Sequence, residues 1–104
     1  MGARAQVKIE DTGVYLYTHW GSGEIEDDVI NAITSDEGRG RWRDAEYLTR
    51  IIFDFMKYEG CDMETGFGIG TEAHYDLDFD PIVVNCSKKV VYWPNGGETK
   101  FDDL

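Results

Sequence analysis

Three short stretches bring together side chains able to do chemistry. The first is Thr18-His19-Trp20-Gly21-Ser22-Gly23-Glu24, which follows the strand-like run VYLY. A histidine near neutral pH acts as a general base or a hydrogen-bond donor. Trp20 offers a flat face for stacking, and Gly21 and Gly23 let a ligand approach the backbone. Amides at the start of a following helix suit an anion. The same residues also suit a plain strand-to-helix handover, with His19 ending a strand, Trp20 covering the core rim and the glycines shaping a turn. The phosphate-loop and dinucleotide-binding glycine patterns are both absent here.

The second stretch is GRGRWRD, where Arg39, Arg41 and Arg43 gather three of the five arginines. Guanidinium groups grip phosphates and carboxylates bidentately. The alternative is charge balance against Asp36, Glu37, Asp44 and Glu46. The third is TGFGIG, whose Gly66, Gly68 and Gly70 bring the backbone close to a neighbour. A tightly packed strand explains them better than a ligand. In YDLDFD, Asp76, Asp78 and Asp80 imitate the first ligands of a calcium loop. Pro81 and Ser87 occupy the positions that need glycine and glutamate, so the triplet reads as a solvated strand face and no metal site is expected. Cys61 and Cys86 lack metal-site spacing. Cys86 sits in an apolar run as a small core residue, and Cys61 in a polar loop. No local signature joins a nucleophile to His19 or His74, so the chain reads as a non-enzyme without a cofactor.

Charge narrows the partners. The 104 residues carry 21 acids against 10 bases, a net charge of −11. Such a surface gains nothing from counterion release, which argues against direct nucleic-acid binding, and anionic membranes are disfavoured alike. The acidity fits solubility, a basic protein partner or imitation of DNA. No apolar run approaches a membrane span and the N-terminus lacks a leader-like apolar core. The expected location is cytoplasmic.

The elements that must position these residues follow from periodicity. AQVKIE and VYLYT alternate around Asp11-Thr12-Gly13 and predict a hairpin. Ala5, Val7 and Ile9 share one face; Val14, Leu16 and Thr18 share another, opposite Tyr15, Tyr17 and His19. EIEDDVINAIT predicts an amphipathic helix capped by Ser22, with Ile25, Val29 and Ile33 inward. SDEGRGR reads as a loop. RWRDAEYLTRIIFDFMKYE predicts a long helix with Trp42, Ala45, Leu48, Ile52, Phe55 and Met56 on its stripe, a Glu46–Arg50 pair outside and Gly60 as its cap. TGFGIG, YDLDFD, IVVNC and KVVYW supply three or four β segments, the last two joined at Ser87-Lys88. The expected fold is α+β: a two-layer sandwich of ββ-αα-βββ order, its mostly antiparallel sheet carrying both helices on one face. Residues 1–94 form the single domain, and 95–104 read as a flexible acidic tail.

Arg4-Ala5-Gln6-Val7, the run Val14 to Gly21 and the pattern Trp42-x-Asp44-x-x-Tyr47-Leu48-x-Arg50 resemble a family of small uncharacterised proteins of phages, bacteria and archaea. The likeness extends to about Trp93. Gly21-Ser22-Gly23-Glu24 departs from the Asp-Gly-Tyr-Pro-like turn of many members. The resemblance implies a role in host takeover or counter-defence and no assigned catalytic residues. Two functions follow. One is a protein that binds a small, nucleotide-like ligand through His19, Trp20, Gly21, Arg39, Arg41 and Arg43, as a homodimer covering the open sheet face. The other is an acidic interaction module, or DNA mimic, that binds a basic host protein.

Overall fold

The computed structural model describes residues 4–19, 23–58, 66–73, 77 and 79–104. Strands β1 (Ala5–Ile9) and β2 (Val14–Thr18) form the predicted hairpin, pairing antiparallel from Ala5↔Thr18 to Ile9↔Val14. Gly13 sits at φ 72° in the turn, where a side chain would be strained. Helices α1 (Ile25–Thr34), α2 (Asp36–Arg39) and α3 (Ala45–Met56) follow. Strands β3 (Phe67–Gly70), β4 (Ile82–Asn85), β5 (Val90–Tyr92) and β6 (Glu98–Lys100) complete the chain with a 3-10 turn at Phe101–Asp103.

The result is a compact α+β domain with one six-stranded sheet in the order β3-β2-β1-β4-β5-β6. Every pairing is antiparallel except β1 with β4. Strands β3 and β4 therefore run in the same direction, and the segment joining them crosses β2 and β1. Gln6, on the face opposite the core, donates from Nε2 to the Glu72 carbonyl at 3.4 Å, so that crossing begins over this face.

One apolar core joins sheet and helices. Val7, Ile9, Leu16, Val84 and Val91 from the strands and Val29, Ile33, Leu48 and Ile52 from the helices are all fully buried. Alternation then sends Lys8, Tyr15, Tyr17, Val83 and Tyr92 to the opposite face.

Four expectations change. SDEGRGR is not a loop: Ser35 accepts from the Gly38 amide at 3.0 Å and starts α2. A β-carbon at Gly38 would lie 1.9 Å from the Ala32 carbonyl oxygen, so glycine here allows close approach of α2 to α1 and does not break a helix. The long helix begins at Ala45, because Asp44 caps it through the Tyr47 amide. Trp42 precedes the helix and reaches the core from a turn, donating to the Ile33 carbonyl at 2.9 Å. Arg50 pairs with Asp54 instead of Glu46. The expected tail, 95–104, contains β6 and buries Phe101 to 1% exposure. Phe101 meets Trp42 edge-on at 5.4 Å, which fastens the chain end to the helices. The order is thus ββ-ααα-ββββ, with one more helix and one more strand than the expected ββ-αα-βββ order. Ser22, Gly60 and much of YDLDFD lie outside the described residues. No helix among the described residues is long and apolar enough to cross a membrane.

Candidate functional site

β2 delivers Tyr17 and His19 to the same face because they stand two residues apart on a strand. The His19 amide donates to the Gly66 carbonyl at 2.8 Å, which extends the β2–β3 ladder and fixes where the ring begins. Arg4 Nε lies 3.4 Å from His19 Nδ1, and the Tyr17 hydroxyl lies 3.0 Å from the same nitrogen. A guanidinium N–H can only donate. Nδ1 is therefore the acceptor for Arg4, with the Tyr17 hydroxyl sharing the same nitrogen. In this arrangement the lone pair that a general base would use is already occupied. Trp20 and Gly21 lie outside the described residues.

At the same end of the sheet is a cavity of about 240 Å³. Ala5, Ile25 and Ile82 form its apolar floor, contributed by the first residues of β1, α1 and β4. Phe79, Pro94 and Asn95 add walls, and Gln6, Glu26 and Asp80 bring an amide and two carboxylates. Phe79 is 55% exposed, so its ring is available to a ligand. Glu24 is the residue before α1 and makes no side-chain cap bond, while Glu26, Asp27 and Asp28 load the first turn with negative charge. That turn favours cations and N–H donors over phosphates.

The three arginines do not join this cavity. Arg39 donates to the Thr34 carbonyl at 2.9 Å and lies 5.8 Å from the Trp42 ring centre. Arg41 lies 3.8 Å from Asp44 and 4.5 Å from the Tyr47 ring centre. Arg43 lines a different cavity beside Asp11, Ser87 and Lys89. Asp11 follows β1 and His19 follows β2, at opposite ends of the hairpin, so roughly 15 Å of strand separates Arg43's cavity from His19.

Asp11 is a second structural centre that pattern reading missed. Its carboxylate accepts from the Cys86 amide at 2.6 Å, the Ser87 amide at 3.1 Å and the Ser87 hydroxyl at 2.5 Å. Burial works against its ionisation, but these hydrogen bonds outweigh burial and hold its pKa below the ordinary value. Asn85 also donates to Glu10 at 2.6 Å, so two adjacent acids clamp the β4–β5 turn to the β1–β2 turn. The available signal was an acidic pair in one hairpin turn facing a polar turn in another, and sequence gives no hint of their contact. Cys86 is a free, buried thiol, pushed up to about 12 by burial and by the neighbouring Asp11. Among the described residues, no group of three or more acids, histidines or cysteines is arranged to hold a metal ion.

Comparison of the chain with protein-family models, curated proteins and solved structures gave no match.

Proposed function

We propose that the chain is a small ligand-binding protein whose nucleotide-like ligand enters the cavity where β2 hands over to α1. The observation that supports this reading is the cavity's lining: an apolar floor edged by exposed Phe79 and by the carboxylates of Glu26 and Asp80. A nucleobase suits that lining. Its faces pack on Phe79 and Pro94, and its ring and exocyclic N–H groups donate to carboxylates. At about 240 Å³ the space is smaller than the roughly 300–1,000 Å³ of drug-sized sites, so it takes a base or nucleoside with the phosphates outside. In this reading His19 contacts the ligand from the same end of the sheet, with Arg4 beside it. Arg39 and Arg41 are held by protein groups, and Arg43 belongs to the other end. The protein binds without catalysing, and sequestering such a ligand in the cytoplasm would serve the counter-defence role the family resemblance implies.

The finer architecture in this reading is a two-layer sandwich. Tyr15, Tyr17 and Tyr92 share the sheet face opposite the core, the surface through which a homodimer would form. The rival reading, an acidic module or DNA mimic on a basic host protein, calls for one continuous acidic face. Among the described residues, the exposed acids are instead spread over the β1–β2 turn (Glu10, Asp11), the start of α1 (Glu24, Glu26, Asp27), α2 (Asp36, Glu37), α3 (Glu46, Asp54), Glu72 after β3, Asp80 before β4, β6 (Glu98) and the chain end (Asp102, Asp103).

The test is thermal denaturation with a panel of nucleobases, nucleosides and linear and cyclic nucleotides. A ligand present at 100 times its Kd adds about 2.7 kcal/mol to stability. The expected result is a saturable rise in Tm with at least one member, lost in Asp80→Asn. Because Asp80 is exposed, that substitution alone changes stability by about 0.5 kcal/mol or less. No shift with any member at saturation overturns the proposal.

A further inference from the structure

The cavity at the other end of the sheet has a volume of about 410 Å³ and a different chemistry. Arg43, from the turn before α3, and Lys89, from the β4–β5 turn, line it together with Ser87 and Asp11. These cations come from segments far apart in sequence, and only the fold brings them to one cavity. Among the described residues neither side chain has an ion-pair or hydrogen-bond partner. The reason is visible in the neighbouring acids. Asp44 is engaged by Arg41 and by the Tyr47 amide. Asp11 spends its oxygens on the Cys86 and Ser87 amides and the Ser87 hydroxyl. Charge balance explains Arg41, but it does not explain two unpaired cations facing one space in a chain of net charge −11.

Lys89 is unusual in a second respect. Its φ is 56°, the left-handed region that glycine or asparagine ordinarily fills, and it is the only non-glycine residue so held among those described. Its carbonyl accepts from the Phe101 amide at 2.8 Å, which keeps the turn in this form. Glycine would fit the backbone with less strain, and what lysine adds there is a cationic side chain.

We infer that this cavity is a binding site for a phosphate group, gripped by the Arg43 guanidinium and the Lys89 ammonium. Two cations against one carboxylate leave the lining with a net positive charge. A guanidinium offers paired donors matched to phosphate oxygens, and an ammonium adds a point charge. The ligand carries a terminal phosphate, either as inorganic phosphate or as the monoester of a small molecule. The inference does not depend on the nucleobase reading of the other cavity.

The test uses the whole chain, with amide chemical shifts of Ser87, Lys89 and Ala45 followed by nuclear magnetic resonance. Inorganic phosphate, glycerol phosphate and dimethyl phosphate are titrated at constant ionic strength against chloride. Saturable shifts with either of the first two, weaker by about tenfold with the diester, support the site; the tighter of the two identifies the source. Lys89→Gly separates binding from folding, because it relieves the left-handed strain while removing the ammonium. It is expected to melt at or above the wild-type temperature and to bind phosphate at least fivefold more weakly. Arg43→Gln is expected to weaken binding likewise, and Arg41→Gln to leave it within twofold. Shifts no larger with phosphate than with chloride overturn the inference, as does Lys89→Gly binding as well as the wild type. Asp80→Asn leaves phosphate binding intact, so failure at one cavity is distinguishable from failure at the other.

Discussion

At the β2–α1 end of the sheet, an apolar floor is edged by Glu26 and Asp80; at the hairpin end, Arg43 and Lys89 face a cavity whose nearest carboxylates are already hydrogen-bonded. The ends also differ in what holds them. The hairpin end is cross-tied by the Asp11 clamp, the Asn85–Glu10 bond and the Phe101 anchor. Around the other cavity, Phe79, Asp80 and Asn95 are exposed wall residues. In an acidic protein, the cations free to meet a ligand are those left over once each nearby carboxylate has found a donor. Chain proximity does not decide this: Arg39, Arg41 and Arg43 are neighbours in sequence, yet Arg41 is held by Asp44 and Arg39 by the Thr34 carbonyl, while Arg43 is held by neither.

The largest test of this difference is a pair of phenylalanine truncations. Phe101→Ala empties a fully buried site that also packs against Trp42, and an expected cost of about 3–5 kcal/mol follows. Phe79→Ala removes a ring that is 55% exposed, and the expected cost is about 0.5 kcal/mol or less. Urea denaturation of both variants measures the contrast. Equal costs would mean that the chain end is not the anchor described.

Next in size is Asp11→Ala. It removes the acceptor of three hydrogen bonds, including one from the amide of buried Cys86, and is expected to cost about 1–2 kcal/mol at neutral pH. The pH dependence has a definite sign. The folded-state pKa of Asp11 lies below the ordinary 3.8, so its contribution is present above that value and fades as pH falls through it towards the folded-state pKa. Denaturation midpoints of wild type and Asp11→Ala should therefore converge as pH falls below about 4 and separate above about 5. A constant gap across this window would remove Asp11's ionised form from the account of the clamp.

What sequence revealed and what it hid divide along the same line. The β1–β2 hairpin was legible because strict alternation assigns Val7, Ile9 and Leu16 to one face and Tyr15 and Tyr17 to the other. The stripe of α3 was legible for the same reason, although its first residue was not, since Asp44 caps the helix three residues before its amide partner. The chain end was illegible because ETK has no apolar rhythm and a single phenylalanine does the burying. α2 was hidden by Gly38, which reads as a breaker and serves as a packing surface. Of the candidate site, His19's strand-end position was readable. The pairing of Arg43 with Lys89 was not, because it depends on β4 crossing to lie beside β1, and local periodicity carries no record of that crossing.

The smallest expected effect is chemical silence at Cys86. This thiol lies beside the Asp11 clamp, buried, with its pKa raised from 9.0 to about 12 by burial first and by the Asp11 charge second. A rise of that size leaves about a thousandfold less thiolate at neutral pH than an ordinary cysteine has. In a Cys61→Ser variant, where Cys86 is the one remaining thiol, iodoacetamide should label the native protein far more slowly than a free thiol and label it readily in urea. In Asp11→Ala the charge beside the sulfur is gone and the turn is untied, so native labelling should speed up. If Cys86 in the otherwise native chain reacts at the free-thiol rate, the hairpin end is open to solvent, and its contrast with the β2–α1 end no longer holds.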